Sequence, residues 1–153
     1  MLITKQEIFD KVAPHLVRQG RQSILDNGSG ICAYRGSNGL MCAVGVLIPD
    51  NHYEPFLEGA SASRPKVQEA LTGVVELSAE NKEFIVQLQN IHDGTGSFFK
   101  EDDPLDKFYP TSRRWKRDLE SLAETHKLNT KCLKGVASEY QGLNHVNNNP
   151  TSF

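Results

Sequence analysis

Apolar residues along the chain fall at helical spacing in several stretches and into a short unbroken run in one, and this pattern predicts the elements. The first stretch has the clearest boundaries. Thr4 and Glu7 stand at the T-x-x-E spacing of a capping box, and Ile3 and Ile8 occupy the flanking positions of a hydrophobic staple. The apolar face of this helix is Ile8, Val12 and Leu16, and Gly20 ends it. Pro14 has no N–H to give the carbonyl of Asp10, which predicts a kink near the third turn. The run "DNGSG" at 26–30 is a loop by its turn chemistry. From Ile31 to Val46, apolar segments flank Asn38-Gly39, the dipeptide best suited to a two-residue type I′ turn, so an antiparallel β-hairpin is expected there.

Pro49 and Asp50 break the apolar run, and Pro65 then suits the first turn of a helix carrying Val67, Ala70 and Leu71. The next helix, about Ser78 to His92, buries Phe84, Ile85, Leu88 and Ile91 and is ended by Gly94 and Gly96. Residues 97–112 show no period, and a loop of that length in a compact domain is often functional. A helix from about Ser112 to His126 puts Trp115, Leu119, Leu122 and His126 in one stripe. A weaker one from Thr130 to Tyr140 gathers Leu133, Val136, Ala137 and Tyr140. The resulting expectation is an α+β fold, mainly helical, with one antiparallel β-hairpin packed by four or five helices. Residues 1–129 form a single globular domain, 130–141 a peripheral helix, and the polar, Asn-rich 142–153 a flexible C-terminal arm.

Composition narrows the class. The 153 residues are 38% hydrophobic and 24% charged, which matches a soluble globular domain with one core. A net charge of -2 gives no basic field to gather duplex nucleic acid or anionic lipid. The opening "MLITKQEIFD" lacks the features of a signal peptide, and no run approaches the roughly 20 apolar residues of a membrane span, so a cytoplasmic location and no membrane partner are expected.

The three cysteines, Cys32, Cys42 and Cys132, are too few and odd in number for a disulfide framework. In the hairpin register set by Asn38-Gly39, Cys32 lies opposite Gly45 and Arg35 opposite Cys42, so the two thiols point to opposite faces and share no site. Other loop lengths bring them to one face but leave a diagonal pair about 7 to 8 Å apart, too far for a disulfide. Their spacing also lacks the paired clusters of a zinc site. A catalytic thiol needs a base, and "IHD" offers His92 to Cys42 or Cys32, with Cys42 gaining from a helix dipole if the chain turns helical there. A cysteine in an apolar run is nonetheless most often a small core residue.

"TSRRWKRDLE" concentrates Arg113, Arg114, Lys116 and Arg117 around Trp115, a composition that could stack a base or grip phosphate. Helical geometry divides the cluster: Trp115 points inward, while Arg113 and Arg117 share an outer face with Glu120 and Glu124. The acidic "EDDPLD" lacks calcium-loop spacing, and "DGTG" at 93–96 reads as a helix-ending turn. Phosphate loops, nucleophile elbows, H-E-x-x-H and dinucleotide fingerprints are absent from the sequence, and no metal or cofactor is expected.

The combination of "CAYRGSNGLMCAVGVLIPDNHY", "LQNIHD" and "WKRDLESLAETHKLN" resembles a group of small, largely uncharacterised bacteriophage and prophage proteins over most of residues 4–129. In that group the apolar segment often reads C-A-x-G-C-L-I-P-D, and Val46 stands here in place of its second cysteine. The resemblance implies a phage-type origin and a shared fold, and it carries no catalytic residue across. The function expected is an accessory interaction protein that binds and neutralises a component of the host cytoplasm, as an anti-defence inhibitor or a binder of a nucleotide signal. Its contact residues are Arg113, Lys116, Arg117, Phe98, Phe99, Asp102, Asp103 and Tyr109. The alternatives are a small hydrolase using Cys42 or Cys32 with His92, and a structural or assembly subunit that oligomerises through Leu133, Val136 and Tyr140.

Overall fold

A computed structural model describes residues 2–94 and 112–140, apart from the side chains of 112 and 113. The described chain is mainly helical: α1 (Lys5–Gln19), α2 (Ala43–Leu47), α3 (Pro65–Ala70), α4 (Ala79–Asp93) and α5 (Ser112–Thr125), with short 3-10 turns between them. Residues 97–111 of the expected loop, with Phe98, Phe99, Asp102, Asp103 and Tyr109, and the arm 142–153 lie outside the described residues, as does the side chain of Arg113.

The caps expected at the N-terminus are present. Thr4 Oγ1 accepts from Glu7 N–H at 3.1 Å, the Glu7 carboxylate accepts from Thr4 N–H at 3.2 Å, and Gly20 closes α1 in the left-handed conformation. The helix continues through Pro14, which is buried. Helix α4 starts on Ser78, whose hydroxyl accepts from Asn81 N–H, and ends at Gly94 with φ 71°. Phe84, Ile85, Leu88 and Ile91 of α4, and Trp115, Leu119 and Leu122 of α5, are all buried as their spacing requires. Helix α1 is the hub: it packs on α2, α4 and α5, and Phe9, Val12 and Leu16 join the side chains of those helices in one core.

The hairpin does not form, and no strand occurs among the described residues. The turn itself is present: Asn38 and Gly39 have φ 59° and 75°, and Leu40 N–H donates to Ser37 O at 3.2 Å. The ladder fails because side chains from elsewhere take the backbone groups a partner strand would need. On one arm the Glu58 carboxylate accepts from both Tyr34 N–H and Arg35 N–H at 3.0 Å. On the other, the Gln19 amide accepts from Met41 N–H at 3.0 Å and donates to Met41 O at 2.9 Å. Ile24 becomes the bridge partner of Cys32, closing the 26–30 loop, and the chain after Cys42 winds into α2. There Gly45 lies so close to residue 34 that a Cβ would stand 2.1 Å from Tyr34 O.

The expected fifth helix is also absent. Only the turn Lys131–Leu133 forms, and Gly135 at φ 74° leads the chain away from helical geometry. Residues 136–140 then cross the end of α1, where Glu139 N–H donates to Arg18 O at 2.8 Å and the Tyr140 ring lies 4.7 Å from the Arg21 guanidinium. Leu133 is buried in the core and Val136 is half-buried, so Leu133, Val136 and Tyr140 do not share the one helical face expected of them.

Two expectations follow. Gly45→Ala forces a methyl into the Tyr34 carbonyl and should lower stability by about 3 kcal/mol, read as a lower denaturant midpoint. An unchanged midpoint would show that α2 does not rest on this backbone. Burial holds His15 below its usual 6.5, and His126 is shifted in the same direction. From 6.5 down to those lowered values the unfolded chain binds more protons than the folded one, so stability should decline as pH falls through that window. His15→Gln should flatten the decline; an identical profile in the variant would remove His15 as a cause.

Candidate functional site

The last turn of α4 gathers the chemistry. Gln89 and Asp93, four residues apart, lie on one helix face, and the Gln89 amide donates to Asp93 Oδ1 at 2.9 Å. His92 Nδ1 lies 2.8 Å from the same oxygen. The other ring nitrogen, Nε2, accepts from Ser23 N–H at 3.0 Å. Because a backbone N–H can only donate, Nε2 is the acceptor nitrogen and Nδ1 carries the proton given to Asp93. The ring is fully buried and stacks on Trp115, with centroids 5.5 Å apart. Gln22 donates to His92 O at 2.9 Å, and Gln89 Oε1 accepts from Val44 N–H, an orphan donor at the start of α2.

Cys32 faces this cluster. Its sulfur, a His92 ring nitrogen and an Asp93 oxygen all lie within 4.8 Å of one another. Burial pushes the Cys32 thiol strongly up, and hydrogen bonding to Asp93 and the Asp93 charge add to the shift. Cys42 occupies the N-cap position of α2, where backbone N–H groups and Gln89 favour its thiolate, yet burial outweighs them and the thiol is pushed up to about 12. Cys132 is pushed up to about 11, by burial first and then by its hydrogen bond to Asp10. All three thiols are unpaired with one another.

The arrangement therefore assembles no Cys–His dyad. His92 has no lone pair left to take a thiol proton, and the nearest charge to Cys32 is an anion, the reverse of what activates a thiol. A metal ion could in principle take Cys32, His92 and Asp93, but metal on Nδ1 places the ring proton on Nε2, donor against donor with Ser23 N–H. The donor set does not fit a metal while Ser23 stays where it is.

The cluster opens to a cleft of about 320 Å³. Cys32, Gln89, Asn90 and Asp93 contribute polar lining, Ile31 and Val86 apolar lining, and residues 59–63, with Ala62, one wall. That wall is fixed by Tyr34, whose hydroxyl donates to Ala60 O at 2.5 Å. Residues 59–61 also border a broader, open depression bearing Arg64 and Lys66.

Of the residues expected to act, Cys32 and His92 come together, and Cys42 lies just behind them under Gln89. Lys116 and Arg117 are on α5. The Arg117 side chain is half exposed and lies 3.8 Å from Asp118, which also pairs with the buried Arg114. Sequence reasoning passed over Asp93, Gln89 and Ser23. The Q-x-x-H-D spacing of α4 could have flagged Gln89 and Asp93 as one helix face, whereas the backbone donor at Ser23 leaves no mark in the residue type. Comparison with known protein families, curated proteins and solved structures finds no match to this chain.

Alkylation at pH 7 should leave Cys32 and Cys42 unmodified in the folded protein and label them only once denaturant unfolds it, counted by mass spectrometry. Rapid single-site labelling of either in the native state contradicts this description of the cluster.

Proposed function

We propose that the chain is a phage-type accessory protein that acts by binding, neutralising a component of the host cytoplasm, and that it carries out no thiol chemistry. The observation behind this reading is the engagement of His92 at both ring nitrogens beside Cys32. The base a hydrolase would need free is held between Ser23 N–H and Asp93, and the Asp93 charge opposes the Cys32 thiolate. What the cluster leaves over is a cleft whose described lining joins the Asp93 carboxylate to apolar side chains, a composition suited to recognition.

The same charge distribution favours a host protein over a nucleotide signal as the cleft's occupant. Among the described residues lining the cleft there is no cation to meet a phosphate, and Asp93 would repel one. The stretch of α5 with the half-buried Lys116 and the exposed Arg117 is a second contact region on this reading. No helix of the described residues is long and apolar enough to cross a membrane, which agrees with a partner met in solution.

The test is capture from bacterial lysate with the tagged protein, followed by reconstitution from purified components. One host protein should be retained at fixed stoichiometry and lose its own activity when bound. A thermal-shift panel of mono-, di- and cyclic nucleotides should give no stabilisation. Absence of any specific partner, together with stabilisation by a nucleotide, would move the function to signal binding; turnover of an ester or amide substrate abolished by Cys32→Ala would establish the hydrolase instead.

A further inference from the structure

We infer that the Asp93 cleft is a receptor for an alkyl-guanidinium group, the chemistry of an arginine side chain, an inference that rests on the binding function proposed above. Asp93 Oδ1 is held by two neutral donors, the Gln89 amide and His92 Nδ1–H, and the Cys32 sulfur lies within 4.8 Å of the carboxylate. These donors orient the carboxylate without neutralising it. His92 cannot serve as a counter-ion while Nε2 accepts from Ser23 N–H, and no Lys or Arg among the described residues is paired with Asp93. The Asp93 side chain is nonetheless only 27% exposed. A partly buried carboxylate fixed by neutral groups in the lining of a cleft is, among the described residues, an uncompensated charge, and such charges are stabilised by a cation brought in from outside.

The shape of the cleft identifies the cation. A volume of about 320 Å³ is at the small end of ligand pockets and suits one side chain or a small amine. Val86, Ala62 and the exposed Ile31 share the lining with Asp93, apolar surface that would cover a methylene stem while the charged head meets the carboxylate. Gln89, Asn90 and residues 59–63 complete the described lining. With Oδ1 already taking two donors, Oδ2 is left for the incoming cation, and a guanidinium carries further N–H donors for the other polar groups of the lining, more than a compact ammonium offers.

Guanidinium could arrive free, as in agmatine, or as an arginine of a partner protein, and the experiment separates the two. The full-length protein is titrated, by calorimetry and by NMR, with agmatine and with the peptide acetyl-Gly-Arg-Gly-amide, using acetyl-Gly-citrulline-Gly-amide as the neutral isostere. The arginine peptide should bind and the citrulline peptide should bind at least about tenfold more weakly. Asp93→Asn should weaken the arginine peptide by about 10- to 100-fold. Ser63→Trp, an exposed rim position outside the hydrogen-bonded cluster, should block the cleft and abolish binding while the fold is retained. Binding of the peptide without agmatine assigns the site to a partner's arginine; binding of both shows that the free compound suffices.

Equal affinity for arginine and citrulline overturns the inference, as does no binding of either guanidinium probe. Should Asp93→Asn fail to fold, Ser63→Trp decides, and undiminished binding in it also overturns the inference. If the probes fail while a host protein is still captured, equally well by wild type and Ser63→Trp, the cleft inference falls and the binding function stands. If the probes bind and no host protein is captured, the reverse holds.

Discussion

The site depends on one hydrogen bond, from Ser23 N–H to His92 Nε2. It fixes which ring nitrogen bears the proton, and thereby makes Nδ1 a donor to Asp93. It ties the segment after α1 to the last turn of α4, while the stacked Trp115 brings in α5. A buried imidazole with either nitrogen unsatisfied would cost roughly 1–3 kcal/mol. With both nitrogens satisfied, the ring instead joins three parts of the chain in one tautomer.

A second constraint shapes the chain around it. Main-chain donors at Tyr34, Arg35 and Met41 find their acceptors in Glu58 and Gln19 side chains, where a sheet would have used backbone. Glu58 also accepts from Tyr53 Oη at 2.8 Å, so one carboxylate organises two segments. This frees residues 43–47 to coil into α2 and settle against the Tyr34 carbonyl, a contact that only glycine at 45 permits. The cysteines end apart in consequence: Cys32 faces the cleft and Cys42 is enclosed at the head of α2.

These two constraints explain what was legible in the residues and what was not. Helices α1, α4 and α5 carry their own signals, Thr4 with Glu7, Ser78 before its apolar stripe, and Trp115, Leu119 and Leu122 at helical spacing, all of them local. The Asn38-Gly39 turn was equally local and forms as its chemistry dictates. The hairpin it promised was lost to Glu58 and Gln19, distant along the chain and unremarkable in type, which win because a side-chain acceptor fixed in place satisfies a buried N–H as well as a strand does. The fifth helix fell to Gly135, whose left-handed conformation a pattern of apolar positions does not register. At the site, His92 and Cys32 stood out by residue type, while the group that decides their chemistry, Asp93, read as the end of a helix.

Asp93 connects structure to proposed function because one negative charge has opposite effects on the two chemistries available. Beside Cys32 and within reach of Cys42 it opposes thiolate formation, adding to burial in the same direction. Toward the cleft the same charge attracts a cation. A site meant to attack a carbonyl would place a cation or a free base near its thiol, and this chain places a carboxylate held by neutral donors. Catalysis by Cys32 and recognition of a cation by Asp93 are therefore competing uses of one small volume, and the hydrogen bonds of His92 and Gln89, by fixing Asp93 in place, favour recognition.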